Sequence, residues 1–319
     1  MKVGLYADHL YGGGEVGTGA SKYIYYLLKH LPDFGVEVRR LHKGENPTDV
    51  DLLHDPHPPW NAPLWPKRPL VLTIHDLTPI THPAYYPFAV RTLYARKLRW
   101  FVRRSGGLLA DSRRTAEVAA TVLRPRTPMV VVPLGVEERF APGDDPPATP
   151  PLILQVGVHR AIKDPMATLR AFHGLADHVP HELRFVGGRS WLTAPIDAHV
   201  ARNPQLKGRV TVYWPGEEAL PDLYRRSSLV VHPCPEEGFG FVPLEALACG
   251  AHVLARAPAV RETVGPFGCY FDDDLAGAMW DCLHHPPKGT IRERSEHARW
   301  FRFRTMAERT AEVYANVVR

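Results

Sequence analysis

The sequence predicts an α/β fold of two successive parallel-sheet domains, and three observations carry that prediction. Short β-branched runs alternate with longer amphipathic stretches as far as Val132. A proline-rich run, Ala141–Pro151, then interrupts with five prolines and no apolar residue larger than alanine. After it the alternation restarts. Strand–helix alternation of this kind builds a parallel sheet with helices on both faces, and a proline-rich polar run reads as a linker. The length of 319 residues suits two domains of roughly 150 each.

The elements follow in order. Lys2–Ala7 reads as a strand and Gly12–Gly19 as a glycine-rich loop. Ala20–Leu31 reads as a helix with Tyr23, Leu27 and Leu28 on one face. Val36–Leu41, Val50–His54 and Leu70–Ile74 are short apolar runs expected as strands. Phe88–Arg104 is a helix, Gly107–Ala110 a strand, Ser112–Leu123 a helix capped by Asp111 or Ser112, and Met129–Val132 a strand. Beyond the linker, Leu152–Val156, Leu183–Val186, Val210–Tyr213, Leu229–His232 and Val253–Ala255 are strands. Met166–Leu175 is a helix, Pro243–Ala248 begins another, and Arg292–Val318 reads as one or two basic amphipathic helices. Two such domains imply a cleft between them, where ligands commonly sit.

Composition narrows the class. Apolar residues make up 45% and charged residues 23%, as in ordinary globular proteins. A net charge of +5 is mild and does not mark a nucleic-acid binder. No apolar run approaches the roughly 20 residues of a spanning helix. The N-terminus, MKVGLYADHL, has one lysine and places Asp8 where the apolar core of a signal peptide would continue. The expected location is the cytoplasm. Four cysteines, Cys234, Cys249, Cys269 and Cys282, form no CxxC pair. They read as isolated reduced thiols, and no metal site is expected from them.

The most informative segment runs from Pro235 to Leu247. An apolar strand enters a loop with Gly238 and Gly240, and Pro243 then precedes the helix-forming Leu244-Glu245-Ala246-Leu247. Proline suits the first helical position. A helix start beside a glycine loop is a ready site for a diphosphate. Glu237 and Glu245, eight residues apart, bracket that loop, and carboxylates accept well from paired sugar hydroxyls. The plainer reading makes Glu245 a first-turn carboxylate favoured by the helix dipole and Glu237 a surface charge.

The run EGFGFVPLEALACG from Glu237 to Gly250 resembles the E-x7-E motif of family 4 glycosyltransferases, with the proline displaced by one onto Pro243. The resemblance implies the GT-B fold: two Rossmann-like domains facing across the cleft, with a C-terminal helix that crosses back to the N-terminal domain. Expected boundaries are 1–145 for an acceptor domain (linker about 141–151), 151–298 for a donor domain, and 299–319 for the crossing helix. It implies that Glu237 contacts the donor sugar and Glu245 the ribose. Gly238, Phe239, Gly240, Phe241 and Val242 would supply the loop that meets phosphates and sugar hydroxyls.

Three further segments share the resemblance. In QVGVHRAIKDP, Gln155–Pro165, Lys163 falls on the family's diphosphate-binding lysine. Ile162 stands where an arginine often precedes it, and Arg160 is the candidate replacement. Thr73-Ile-His-Asp-Leu77 matches a T-x-H-D element that would set His75 against the donor sugar, with Asp76 orienting the loop. The glycine-rich loop would line the cleft near phosphate and acceptor, with Gly17 and Gly19 nearest. Gly12, Gly14 and Gly17 also spell a dinucleotide fingerprint, but the acid it needs would fall near Glu37, inside the second strand. His54, Asp55 and His57 read as cleft wall near the acceptor rather than as metal ligands.

The implied reaction is retaining, metal-independent transfer of a hexose from a nucleoside diphosphate sugar to a hydroxyl acceptor: a glycan, a lipid-linked molecule or a small molecule. His75, Glu237 and Lys163 are the expected catalytic residues, with no cofactor and no nucleic acid. The alternatives are an epimerase or phosphorylase on the same fold, or a non-catalytic binder of sugar nucleotides. The helix 88–104, rich in arginine, fits either peripheral contact with the inner face of an anionic membrane or an ordinary surface helix.

Overall fold

The computed structural model describes residues 1–8, 19–157, 160–187 and 193–319. The chain folds as two compact units. Unit 1 comprises Met1–Gly135 with Phe301–Arg319, and unit 2 comprises Val136–Trp300. The break therefore falls ahead of the proline-rich run, which belongs to unit 2. There Arg225 pairs with Asp145, and the Ala148 N–H donates to the Arg226 carbonyl at 3.0 Å. Those bonds give a run that reads as a free linker a fixed place on unit 2.

Unit 1 carries strands β1 (Lys2–Tyr6), β2 (Glu37–Leu41), β3 (Leu52–Asp55), β4 (Leu70–Ile74), β5 (Gly107–Ala110) and β6 (Met129–Val131). They form one six-stranded sheet in the order β2-β1-β3-β4-β5-β6, with every pairing parallel. Every residue of β3, β4 and β5 is buried, as expected of central parallel strands covered on both faces. The helices are α1 (Gly19–His30), the one-turn α2 (Thr78–Thr81), α3 (Phe88–Val102) and α4 (Arg113–Leu123). Ser112 caps α4, accepting from the Thr115 N–H at 3.1 Å.

The last helix of the chain, Phe303–Val318, also belongs to unit 1 and packs on α1 and on the sheet. Its buried Phe303, Met306, Ala307, Thr310, Ala311 and Tyr314 recur at the three- and four-residue spacing of a single helix face. Phe303 stacks on Tyr26 of α1, with ring centroids 3.7 Å apart. Tyr314 reaches the buried ring of His54 at 2.6 Å.

Unit 2 carries β7 (Leu152–Val156), β8 (Glu182–Val186), β9 (Val210–Tyr213), β10 (Leu229–His232), β11 (Val253–Ala255) and β12 (Gly268–Tyr270). Its sheet is again six-stranded and parallel, in the order β12-β11-β10-β7-β8-β9. Counted from its own first strand, that is the doubly wound order with its connection reversing between β7 and β10. Around it lie α5 (Pro165–Leu175), α6 (Thr193–Arg202), α7 (Leu220–Arg226), α8 (Phe241–Ala248), α9 (Pro258–Val264), α10 (Leu275–His284) and α11 (Ile291–Ala298). Phe303–Val318 is then α12. The basic C-terminal stretch is thus two helices, one in each unit.

The cysteine expectation is corrected. Cys269 on β12 and Cys282 on α10 form a disulfide, their Cα atoms 6.1 Å apart. The packing of α10 against β12 brings together residues whose spacing in the chain gives no hint of a pair. Cys234 and Cys249 are free and buried. No helix among the described residues is long and apolar enough to cross a membrane.

Candidate active site

In an open α/β sheet, ligands bind beyond the carboxyl ends of the strands where the connection reverses. In unit 2 those strands are β7 and β10, and the segments leaving them carry the residues singled out from the sequence. After β7, a single 3-10 turn, Ala161–Lys163, leads into α5. Asp164 caps α5, accepting from the Ala167 N–H at 3.0 Å, and Pro165 takes its first position. The Gln155 side-chain amide donates to the Lys163 carbonyl at 2.7 Å, tying this turn to β7. Ile162 points inward and is buried. The position where the motif resemblance leads one to expect an arginine is therefore core here, and Arg160 stands exposed at the head of the turn.

His232 ends β10, and Cys234 and Glu237 follow it. Lys163 Nζ donates to Glu237 Oε2, and His232 Nε2 meets the same oxygen at 3.0 Å. Burial alone would raise the Glu237 carboxyl, but the Lys163 charge and the His232 bond outweigh it and hold the group far below the carboxylate range. Burial likewise opposes the charge on Lys163, yet Glu237 raises its pKa. His232 is lowered, first by burial and then by the Lys163 charge. It is therefore neutral near pH 7, and Nε2 must carry the hydrogen given to Glu237. The outcome is a fixed carboxylate–ammonium pair braced by a neutral imidazole. The Arg160 charge is close enough to act on Lys163.

Helix α8 begins two residues earlier than expected. Gly240 is its cap, Phe241 its first residue and Pro243 its third. Proline is tolerated there because first-turn N–H groups have no acceptor within the helix, and the residue its ring would clash with lies outside it. The shift moves Glu245 out of the first turn, where the dipole reading had placed it, to the fifth position. Glu245 is buried and accepts from the Tyr224 hydroxyl at 3.3 Å. Gly240 sits at φ +92°, and a Cβ there would lie 2.8 Å from Val260 Cγ2, so the turn requires glycine. Phe239 is buried and Phe241 meets it edge to face at 5.5 Å, packing the loop from below.

Unit 1 places His75 just beyond the end of β4. Its Nδ1 bonds Asp111 Oδ2 at 2.7 Å, and Tyr23 meets its ring edge to face at 4.9 Å. Asp76 does orient the local chain, accepting from the Thr78 N–H at 2.9 Å and hydroxyl at 2.7 Å. Gly19 is the first residue of α1, while Gly12, Gly14 and Gly17 lie outside the described residues. The cleft-wall expectation for His54 and Asp55 is corrected, since both are fully buried. His54 lies between Tyr314 and the Thr73 hydroxyl, and burial drives its pKa down to about 3. Asp55 closes its own loop, accepting from Asn61, the His57 N–H and the Ala62 N–H.

Among the described residues, His232, Cys234 and Glu237 are the group that brings three possible metal donors together. All three are engaged otherwise. Lys163 and His232 occupy Glu237, and the Cys234 thiol donates to the Glu236 carbonyl at 2.9 Å. Burial pushes that thiol up to about 12, so it stays protonated. A metal would have to displace an ammonium and a proton. Sequence reasoning missed His232, Gln155 and Tyr224 as site residues. His232 had a usable signal, a polar residue closing an apolar strand five residues before Glu237.

A doubly wound unit with a lysine on a partly exposed carboxylate, and a second, buried carboxylate nearby, at its reversal point has the layout of a nucleotide-binding unit. The family model described as "Glycosyl transferases group 1" matches residues 137–270, and that described as "Glycosyltransferase Family 4" matches residues 24–140. The chain belongs to glycosyltransferase family 4. The D-inositol 3-phosphate glycosyltransferase of Streptomyces scabiei is 30% identical, covering 98% of this chain and 78% of the relative. That of Xylanimonas cellulosilytica is 30% identical over 67% of this chain. The chain spans about half the length of several such relatives, 54% for the Xylanimonas protein and 47% for one from Rhodococcus erythropolis. In fold it is similar to a sucrose-phosphate synthase from Thermosynechococcus elongatus (TM-score 0.79, 17% identity, 99% of this chain and 98% of that one). It is also similar to Anabaena HepE in complex with UDP and glucose (TM-score 0.74, 16% identity, 99% of each chain). Two parallel six-stranded units and these likenesses give the chain the GT-B fold.

Proposed function

We propose that the protein transfers a hexose from a nucleoside diphosphate sugar to a hydroxyl acceptor, with retention at the anomeric carbon and without a catalytic metal. The observation that carries this is the Lys163–Glu237–His232 cluster beside the start of α8, at the reversal point of the unit 2 sheet. Lys163, aided by Arg160, supplies the positive charge that a departing diphosphate needs. The amides of the Gly238–Val242 loop and the α8 start suit its oxygens. Glu237, held ionised by Lys163 and His232, accepts from sugar hydroxyls, and Glu245 from the ribose. His75 of unit 1 acts on the donor sugar, and Gly17 and Gly19 belong to the loop serving phosphate and acceptor. No cofactor is required. None of the residues gathered here is placed as a covalent nucleophile, which favours a route in which the leaving phosphate takes the acceptor's proton.

Thermal-shift screening tests the donor class. UDP, GDP, ADP, TDP and their sugar conjugates form the panel, with inositol 3-phosphate as the first acceptor because the curated relatives are named for it. At 100 times Kd, a ligand of the folded state adds about 2.7 kcal/mol. One nucleotide is expected to stabilise the protein but not Glu245→Ala. Failure of every nucleotide to shift the unsubstituted protein would sink the reading.

The acceptor side extends to a membrane surface. Helix α3 turns Leu98, Phe101 and Val102 into the core and leaves Phe88, Val90 and Leu93 outside, with Phe88 72% exposed. Val90 and Leu93 are thus not core residues. Arg96, Arg99, Arg103 and Arg104 are exposed on the same segment, and Trp65, 71% exposed, meets Trp100 edge to face. Apolar and cationic groups together suit an anionic lipid surface and, through it, a lipid-linked acceptor. Vesicles containing anionic lipid should pellet the protein, and reversing Arg96, Arg99 and Arg103 to glutamate should release it. Equal recovery with zwitterionic vesicles, or none at all, ends the idea.

A further inference from the structure

We infer that Asp111 is the positioning residue of His75: its buried carboxylate fixes the proton on Nδ1 and leaves Nε2 as the edge that meets the ligand. The inference rests on the role given to His75 above and adds a residue that the sequence motifs do not mark. Asp111 follows β5, and His75 follows β4, its sheet neighbour. The parallel register sets Ile74 beside Ala110, so the next residues of both strands emerge side by side. Asp111 is 3% exposed, and its Oδ2 lies 2.7 Å from His75 Nδ1.

The two ends of the imidazole differ. Nδ1 has its acceptor. Nε2 is buried without a hydrogen bond of good geometry to the described residues, although the Pro56 carbonyl acts on the ring, and Asp111 Oδ1 is unpaired in the same way. An unpaired buried polar atom carries a cost that persists only where something supplies the missing bond. A sugar hydroxyl or phosphate oxygen at Nε2 would supply it. With Nδ1 held protonated, Nε2 accepts from a hydroxyl when the ring is neutral and donates to an anionic oxygen when it is charged. No bond forms or breaks in this step; Asp111 sets tautomer, orientation and charge.

Burial raises the Asp111 carboxyl, with Asp76 acting the same way and the His75 charge and bond opposing it, so the groups around the pair matter. Tyr23 of α1 packs on the ring, and its hydroxyl is tied to Thr73 at 2.8 Å, so it braces the imidazole without competing for its nitrogens. The Thr115 hydroxyl of α4 donates to the His75 carbonyl at 3.4 Å. Asp76 adds a second negative charge and the Pro56 carbonyl lies nearby, while the buried His54 of β3 is neutral. Burial alone would lower the His75 pKa, but Asp111, with smaller help from Asp76 and Pro56, raises it.

The test is Asp111→Asn in the full chain, with two readouts. First, the His75 Cε1–H resonance, identified by its loss in His75→Gln, is titrated by NMR without ligand. The imidazole should titrate at least about one pH unit lower in Asp111→Asn, because burial then acts unopposed. Second, kcat should fall about 10- to 100-fold, the size of one charged hydrogen bond, with donor KM within about twofold and the His75 limb of the pH–rate profile moved in the same direction. Asp111→Glu, which restores the charge, should recover part of both. An unchanged His75 titration overturns the inference, as does a kcat loss that follows only a loss of folded protein. If the unsubstituted protein transfers no sugar, the proposed function fails, while the titration still decides whether Asp111 governs His75.

Discussion

Replacing Glu237 by glutamine is expected to lower kcat/KM for sugar transfer about 10²- to 10³-fold, the usual loss when one preorganised electrostatic contact is removed. The reason lies in three atoms. Glu237 Oε2 carries both Lys163 Nζ and His232 Nε2. Glutamine keeps an acceptor for these donors but removes the charge that holds Lys163 in place. Alanine goes further and leaves an ammonium in a largely buried site with no counter-charge. Breaking one side of a buried pair costs about 3–5 kcal/mol, so Glu237→Ala should also melt early, whereas Glu237→Gln should not. If Glu237 serves the sugar and Glu245 the ribose, the two differ in a second way. Glu237→Gln should still bind the bare nucleoside diphosphate, and Glu245→Ala should not. Equal loss of nucleotide binding in both variants would mean that the carboxylates do not divide the donor between them.

The same pair makes a statement about acid. A carboxyl held far below its unfolded value contributes stability that is complete above the unfolded pKa of about 4.3 and is lost only as pH falls toward the folded one. His232, lowered by burial, has the same sign: its contribution is present above the unfolded pKa of about 6.5 and declines as pH drops below it. Between pH 7 and 5 it is therefore the histidine, not the glutamate, that begins to weaken this site.

What the sequence showed of this site depended on distance along the chain. Glu237, Gly240 and Glu245 lie in one linear segment, and Lys163 lies in the segment that leaves β7, so the motif resemblance could pick them out. Most of both sheets was legible for a related reason: β4, β7 and β10 are short, largely apolar runs, whereas β12, a three-residue, half-buried edge strand, went unread. The partners that hold the chemistry in place were not local. Asp111 lies 36 residues from His75, and Tyr314 lies 260 from His54. These pairs exist only because β4 lies beside β5 and because α12 returns to β3, and sheet order is not written in periodicity. The start of α8 was misplaced for another reason. Proline marks a first turn without saying which residue of it, since the first three positions are all free of intrahelical acceptors. Helix α10 had a readable cap in Asp274, which accepts from the Gly277 N–H at 2.9 Å. Its Leu275-Ala-Gly-Ala opening hid the apolar face that would have supported it.

Away from the site, a large structural effect should come from Gly135→Ala, at about 3 kcal/mol of destabilisation, the top of the usual range for overpacking. Gly135 closes the N-terminal part of unit 1, and the chain returns to the same unit at Phe301. A Cβ on Gly135 would stand 2.2 Å from the Phe303 nitrogen, 2.6 Å from its Cγ and 2.8 Å from the Arg302 carbonyl carbon. Two of these are backbone atoms, which cannot swing aside as a side-chain tip can. Nor can Phe303 retreat, because its ring lies flat on Tyr26 at 3.7 Å. The methyl group would therefore lift the first turn of α12 and loosen the buried face that ends in Tyr314 and His54. Gly174→Ala is the control. It lies exposed in α5 with nothing within 4 Å of its Cβ position, and there alanine should stabilise by roughly 0.5–1 kcal/mol through helix propensity. Urea denaturation of both variants against the unsubstituted protein should give shifts of opposite sign. A neutral Gly135→Ala would mean that α12 is not seated on this glycine and that another contact returns the chain to unit 1.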